Sequence, residues 1–205
     1  MVFKFYSDWF HLEKLKVGLL CAIAEHGGEY HGSVRELYRK TRINPPKRVG
    51  TTQLEDAGHA LFELQEDLYI KKTELTEYTS KIEIIKRGEE YKIPEKLYNL
   101  IKKKHKNGIG WQNVIKLLLF LLSTELLETN NFVLMNVIQF GSKKLVSSSK
   151  KVLSDLGCLY TKNKWKVYED KDGKKGFDYQ FQYMKCSIPI TYYDEEDRKD
   201  IECNY

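Results

Sequence analysis

Residues 141–160 read GSKKLVSSSKKVLSDLGCLY, and their apolar residues recur at helical spacing while the opposite face is lysine and serine. A similar segment, GTTQLEDAGHALFELQEDLY, occupies residues 50–69, but it contains five acidic residues and no lysine or arginine. In both segments a Leu-Tyr pair follows the helical pattern and opens an alternating, strand-like stretch. This recurrence indicates that the chain contains two copies of one structural unit.

The composition sets limits on the class of protein. The chain has 205 residues, 41% of them hydrophobic, which is enough for one large domain or two small ones. Its longest apolar run, residues 114–122, is interrupted by Lys116 and is shorter than the roughly 20 residues that a membrane span needs. The N-terminal residues lack the apolar run of a signal peptide. We therefore expect a cytoplasmic protein without a membrane segment.

Motifs of catalysis and metal binding are missing from the sequence. The four cysteines form no CxxC pair, and the five histidines show no zinc-ligand spacing. Neither a GxxxxGK[ST] phosphate loop nor an HExxH motif is present. The segment ITYYDEED, residues 190–197, lacks the histidine cluster that a DNA-nicking tyrosine would need. The sequence predicts a non-enzymatic protein without metal or cofactor.

The first half is predicted to contain helix, short strand, helix, helix and β-hairpin, at residues 10–27, 29–31, 33–41, 52–67 and 68–87. Ser33 with Glu36, and Thr52 with Glu55, have the spacing of a capping box that begins a helix. The third helix is predicted to turn four apolar residues inward: Leu54, Ala57, Leu61 and Leu64. A further helix at residues 94–104 leads into a lysine-rich linker.

The second half repeats this order, with elements predicted at residues 110–128, 132–134, 136–140, 142–157 and 158–186. Ser142 is expected to cap the third helix and Gly157 to end it. The residues expected to face inward are Leu145, Val146, Val152, Leu153 and Leu156. Aligning the two Leu-Tyr pairs gives an offset of 91 residues, which superposes Leu54 on Leu145 and Leu61 on Val152.

Three helices closed by a β-hairpin resemble the winged helix-turn-helix family, and both halves show this order. The resemblance implies a mainly α fold with β-hairpin wings (α+β), organised as two tandem winged-helix domains. It implies an N-terminal domain at 1–106, a C-terminal domain at 107–190 and an acidic tail at 191–205. It also implies that the third helix enters the major groove of DNA while the wing lies over the backbone or the adjacent minor groove.

The charge distribution agrees with a nucleic-acid partner. The net charge is +4 in residues 1–106, +5 in residues 107–190 and −4 in the last fifteen residues. A basic body with an acidic tail is typical of a nucleic-acid binder. The alternative for the tail is a solvated, disordered C-terminus without a role.

The second half carries the main candidate DNA contacts, because lysines are attracted to phosphates and short serines allow close approach. On the third helix the candidates are Lys143, Lys144, Ser147, Ser148, Lys150 and Lys151. On the wing they are Lys171, Lys174 and Lys175. The alternative is a solvated helix face that binds nothing.

The first half is less favourable for DNA, because its third helix carries Glu55, Asp56, Glu63, Glu66 and Asp67. Residues at the start of this helix are candidates for phosphate and base contacts: Lys47, Arg48, Thr51, Thr52 and Gln53. The alternative is that this half packs against its twin or against a second chain.

These patterns predict a double-stranded DNA-binding protein, either a transcriptional regulator or a replication or conjugative-transfer accessory factor of a mobile element. The alternative is a tandem winged-helix scaffold that binds only protein. Aromatic residues alternate along the second hairpin, where one set is expected in the core and the other on the sheet surface or in a platform for single-stranded bases: Trp165, Tyr168, Phe177, Tyr179, Phe181 and Tyr183.

Overall fold

The computed structural model describes residues 1–104, 110–124, 127–169, 171 and 173–202. The side chains of residues 164–169, 175–181 and 199–202 lie outside this description, and with them most of the alternating aromatic residues of the second hairpin. The described part contains both helices and strands, and the strands form small antiparallel sheets.

Within residues 1–104 the α-helices are α1 (Lys14–Ala24), α2 (Val34–Lys40), α3 (Thr51–Glu66) and α4 (Glu95–Lys104). The strands of the same range are β1 (Val2–Tyr6), β2 (Glu29–Gly32), β3 (Ile70–Glu74), β4 (Ser80–Ile84) and β5 (Glu90–Pro94). The strands β2, β4 and β3 form one antiparallel sheet in that order. The strand β1 pairs with β5, and a 3-10 turn at Ser7–His11 links β1 to α1.

The second half contains α5 (Trp111–Leu122), α6 (Asn131–Val137) and α7 (Lys143–Asp155). The strands in the described part of this half are β6 (Leu127–Thr129), β7 (Leu159–Glu169) and β8 (Lys175–Cys186). They form an antiparallel sheet in the order β6, β8, β7. Residues 14–84 and 111–186 therefore share the order helix, strand, helix, helix, hairpin. In both three-stranded sheets the strand between the first two helices pairs with the second arm of the hairpin.

The spacing of the elements supports the repeat. The helices α5 and α6 begin at Trp111 and Asn131, each 97 residues after the start of its counterpart at Lys14 or Val34. The segment between second and third helix is longer in the first half, where residues 41–50 include two consecutive prolines that disfavour helix. The repeat is thus continuous except for this insertion.

The register of the third helices differs from the predicted offset of 91. The buried residues of α3 are Ala57, Ala60, Leu61 and Leu64, and those of α7 are Val146, Ser149, Lys150 and Leu153. Each residue of the second set follows its counterpart by 89 positions. Leu68 and Gly157, also 89 apart, both have a positive φ after the helix. The shared Leu-Tyr pair misaligned the halves by two residues, so Leu145, predicted inward, is 36% exposed.

Predictions of where individual helices and strands begin had mixed outcomes in the structure. The predicted strand at 132–134 and helix at 136–140 are replaced by α6, because the Asn130 side chain accepts from the backbone N–H groups of Phe132 and Val133 and caps a helix there. The predicted Thr52 capping box is absent, since α3 begins after Gly50, whose N–H donates to Gln53 Oε1 at 3.2 Å. The Ser33 capping box with Glu36 is confirmed.

Leu68 occupies a conformation that favours glycine, with φ of 58° and a side chain that is 64% exposed. We expect Leu68→Gly to stabilise the fold by up to about 1 kcal/mol, because left-handed backbone costs a residue with a Cβ that order of free energy. Gly157→Ala, at φ of 72°, should destabilise it by a similar amount. Urea unfolding of both variants measures this, and a loss of stability in Leu68→Gly would contradict it.

The two halves meet along α5, an apolar helix that is buried nearly all round. The ring of Phe120 lies 5.0 Å from that of Phe10, and the ring of Trp111 lies 5.7 Å from that of Tyr98. Gln112 Nε2 donates to the carbonyl oxygen of Thr41 at 3.2 Å. One hydrophobic core therefore runs through both halves. The predicted domain boundary at 106/107 lies outside the described residues and stays a prediction.

The tail is structured as far as residue 202 and contacts the body through residues 192–197, so the disordered alternative is wrong for this part. A 3-10 turn at Ile190–Tyr192 precedes helix α8 (Glu195–Glu202). Tyr192 Oη donates to the carbonyl oxygen of Leu156 at 2.8 Å, and Tyr193 Oη donates to that of Lys92 at 3.0 Å. These bonds tie the tail to both halves.

Candidate nucleic-acid interface

The helix α7 separates a buried face from a charged one. Ser142 Oγ accepts from the backbone N–H of Leu145 at 3.4 Å, so the helix begins where the sequence predicts. Five candidate residues are exposed: Lys143, Lys144, Ser147, Ser148 and Lys151. The first acidic residue of the helix is Asp155 in the last turn, where it pairs with Lys104 Nζ at 3.3 Å. The exposed face is therefore cationic from the first turn to the third.

These lysines have charges that the described part of the chain does not neutralise. Among its ion pairs, none involves Lys143, Lys144 or Lys151. Lys143 Nζ lies 5.2 Å from the ring centroid of Phe132 on α6, a cation–π contact that leaves the charge in place. An uncompensated row of cations on a solvent-facing helix is suited to a polyanion.

Lys150 is a correction, because the structure places it inside rather than on the exposed face. It is 8% exposed, and its ammonium donates to Asn131 Oδ1 at 2.8 Å and to Gln182 Oε1. Burial lowers its pKa. Lys150 takes the position that Leu61 holds in α3. It lies four residues after Val146 and three before Leu153, and this helical spacing from two apolar residues was the sequence signal that Lys150 faces the core. Lys150 therefore connects α7 to α6 and β8, and its ammonium is not available to contact DNA.

The serines of α7 differ in their environments. Ser147 Oγ accepts from Asn131 Nδ2 at 2.9 Å, and Ser148 Oγ donates to the carbonyl oxygen of Leu145 at 3.0 Å. Ser149 is buried against the core. Because the side chains of Ser147 and Ser148 are short, the backbone of α7 can approach a bound surface closely.

The β7–β8 hairpin carries the predicted wing residues at its tip. Lys171 and Lys174 are exposed, while the side chain of Lys175 and all of residues 170 and 172 lie outside the described residues. Gly173 has a φ of 73°, a turn conformation that suits glycine. Because β7 follows directly on the end of α7, the tip and the helix belong to one continuous unit.

The first half presents a different surface. Lys47, Arg48, Thr51, Thr52 and Gln53 are exposed around the start of α3, but the Gln53 side chain is already used to cap the helix. Glu63 pairs with Lys16 Nζ at 2.9 Å and contacts His59 Nδ1 at 3.4 Å.

The remaining carboxylates of α3, at Glu55, Asp56 and Glu66, are exposed. The two third helices therefore have opposite surface charge, as the sequence indicates.

Sequence reasoning missed two features near this surface. Asn131 and Gln182, which hold Lys150, carried no recognisable motif because they come together from α6 and β8. Lys116 interrupts the apolar run at residues 114–122, and a lysine inside such a run is the sequence signal that it is buried among apolar side chains. It is buried, and burial lowers its pKa to about 8.

No family model matches the chain, and no curated protein matches it either. Within the described ranges, no helix is long and apolar enough to cross a membrane, and no group of three or more metal-ligating side chains is arranged to hold a metal ion. Function is therefore inferred from the geometry of the chain itself.

Proposed function

We propose that the chain is a non-enzymatic double-stranded DNA-binding protein made of two tandem winged-helix units. In this proposal it reads DNA with α7 and the β7–β8 hairpin, as a transcriptional regulator or a replication or transfer accessory factor. The observation that carries it is the exposed face of α7, where three lysines without ion pairs among the described residues flank two short serines. The matching order of elements and strands in both halves supports the winged-helix assignment.

The dimensions of α7 suit the major groove. Lys143 and Lys151 are eight residues apart, which is about 12 Å along a helix axis. The groove is about 12 Å wide and admits one helix, with a phosphate backbone on each side. Cations at both ends of the face can therefore reach phosphates while Ser147 and Ser148 lie closest to the bases.

A second candidate function for the first half is the binding of a protein partner or a second copy of the chain. Phe62 on α3 is 60% exposed and lies on the same side of the helix as Glu55 and Glu66. An exposed aromatic side chain among carboxylates suits a protein better than a phosphate backbone. In this arrangement α3 binds the protein partner while α7 binds DNA.

The test of DNA binding is its salt dependence, measured by fluorescence anisotropy with a random-sequence duplex. If three to five phosphates are neutralised, affinity should fall by about 40- to 500-fold between about 50 and 200 mM salt. Absence of binding at the lower salt concentration would overturn the proposal and favour a scaffold that binds only protein. Binding that does not respond to salt would contradict the assigned lysines.

A further inference from the structure

A cleft of about 290 Å³ lies where the two halves meet, beside the first turn of α7. Its lining comes from both halves: Glu13, Lys14, Gly110, Asn113, Lys116, Gln139, Gly141 and Leu145. The sequence patterns that predicted the DNA-binding surface did not reveal it, because these residues are brought together by the packing of α5 against α1.

Three helices begin at this cleft. Glu13 is the N-cap of α1, Gly110 is the N-cap of α5, and Gly141 precedes Ser142, the N-cap of α7. The first turn of a helix has backbone N–H groups without intrahelical partners and carries a partial positive charge. Their convergence produces a positive local potential that favours an anion.

The side chain of Lys116 indicates a bound anion independently of the helix starts. It is 2% exposed, it lines the cleft, and among the described residues it forms no hydrogen bond and no ion pair. Its ammonium lies 5.8 Å from the ring centroid of Phe140, the contact that the structure gives it. A buried charge is ordinarily paired, because removal from water without a counter-ion is costly.

The other charges around the cleft also leave it positive. Lys14 lines it, and burial together with the nearby Arg42 lowers the Lys14 pKa. Glu13, which is exposed, is the carboxylate in the lining, and it favours the charged form of Lys116. Asn113 and Gln139 add amide groups that can donate hydrogen bonds.

We propose that this cleft binds the phosphate group of a small phosphorylated metabolite, with Lys116 as its principal counter-ion. The volume is at the lower end of the range for small-molecule sites, which suits a phosphate and a few further atoms. A phosphate within a DNA backbone is flanked by two sugars, whereas a small metabolite can place its phosphate inside the cleft. The proposal does not depend on DNA binding, although the ligand would lie against the first turn of α7.

The experiment follows the thermal unfolding of the full chain during titration with inorganic phosphate, with chloride used to hold ionic strength constant. We expect the melting temperature of the unaltered protein to rise with phosphate, and above the dissociation constant to keep rising with the logarithm of the phosphate concentration, since a ligand that binds only the folded state stabilises it by RT ln(1 + [L]/Kd). Lys116→Met should remove this rise. Lys92→Met, a change of an exposed lysine on β5, should retain it.

A second variant keeps the proposal testable if Lys116→Met does not fold. Glu13→Gln removes the carboxylate from the lining and should lower the phosphate dissociation constant fitted to this rise several-fold. An unaltered protein that does not respond to phosphate would overturn the site, as would a Lys116→Met variant with the full response. If duplex DNA abolishes the phosphate response, the site belongs to the DNA backbone and the metabolite assignment is wrong. None of these titrations uses the salt dependence of DNA binding, so the two proposals fail separately.

Discussion

Exchange of Lys143, Lys144 and Lys151 for glutamate is expected to lower the affinity for random-sequence duplex DNA by about two orders of magnitude or more. Each change removes a cation from the exposed face of α7 and adds an anion where phosphates would lie. The slope of log affinity against log salt should also become shallower by about three, because three fewer counterions are released.

The matched control changes Lys86, Lys92 and Lys103 to glutamate. These lysines are exposed after β4, on β5 and on α4, they form no ion pair among the described residues, and the change in net charge is the same. We expect a much smaller loss, since only the long-range field changes and salt screens it within about 10 Å. Equal losses in the two triple variants would show that binding follows net charge and that α7 is not the reading element.

The second large effect is expected from Trp111→Ala, which should lower the free energy of unfolding by about 3–5 kcal/mol. Trp111 is fully buried, its ring meets that of Tyr98 edge-on at 88°, and Lys102 Nζ lies 5.2 Å from its centroid. Because Trp111 belongs to the second half and Tyr98 to the first, its loss should destabilise both together.

Urea unfolding followed by circular dichroism and by fluorescence measures this effect. Coincident single transitions are expected for the unaltered protein and for the variant, because one core runs through both halves. Tyr78→Ala, at an exposed residue near a hairpin turn, is the control and should change stability by less than about 1 kcal/mol. Two separated transitions would show that the halves are independently stable.

The sequence was informative where the structure is local. Ser33 with Glu36 and Ser142 begin helices through bonds between near neighbours, and the hairpins follow from alternating residues with a polar turn. Residues 132–134 were mispredicted because a short apolar run fits a strand or a helix equally well. There the Asn130 cap decides the outcome.

Long-range features were beyond the reach of sequence patterns. The pairing of β1 with β5 joins segments that are distant in the chain and carry no shared signal. Lys150 was placed on the wrong face because the repeated Leu-Tyr pair set a false register, whereas the spacing from Val146 and Leu153 gives the true one. The cleft at Lys116 depends on how two helices pack, which no residue pattern in either helix specifies.

The continuous core also determines how α3 and α7 are held relative to each other. Since α5 is packed against α1 and α4, the distance between the two third helices is set by rigid packing rather than by a tether. Two helices joined by a flexible linker can adapt to targets of different lengths, but two helices held by packing have one fixed separation. Any partner that contacts both helices would have to match that single separation.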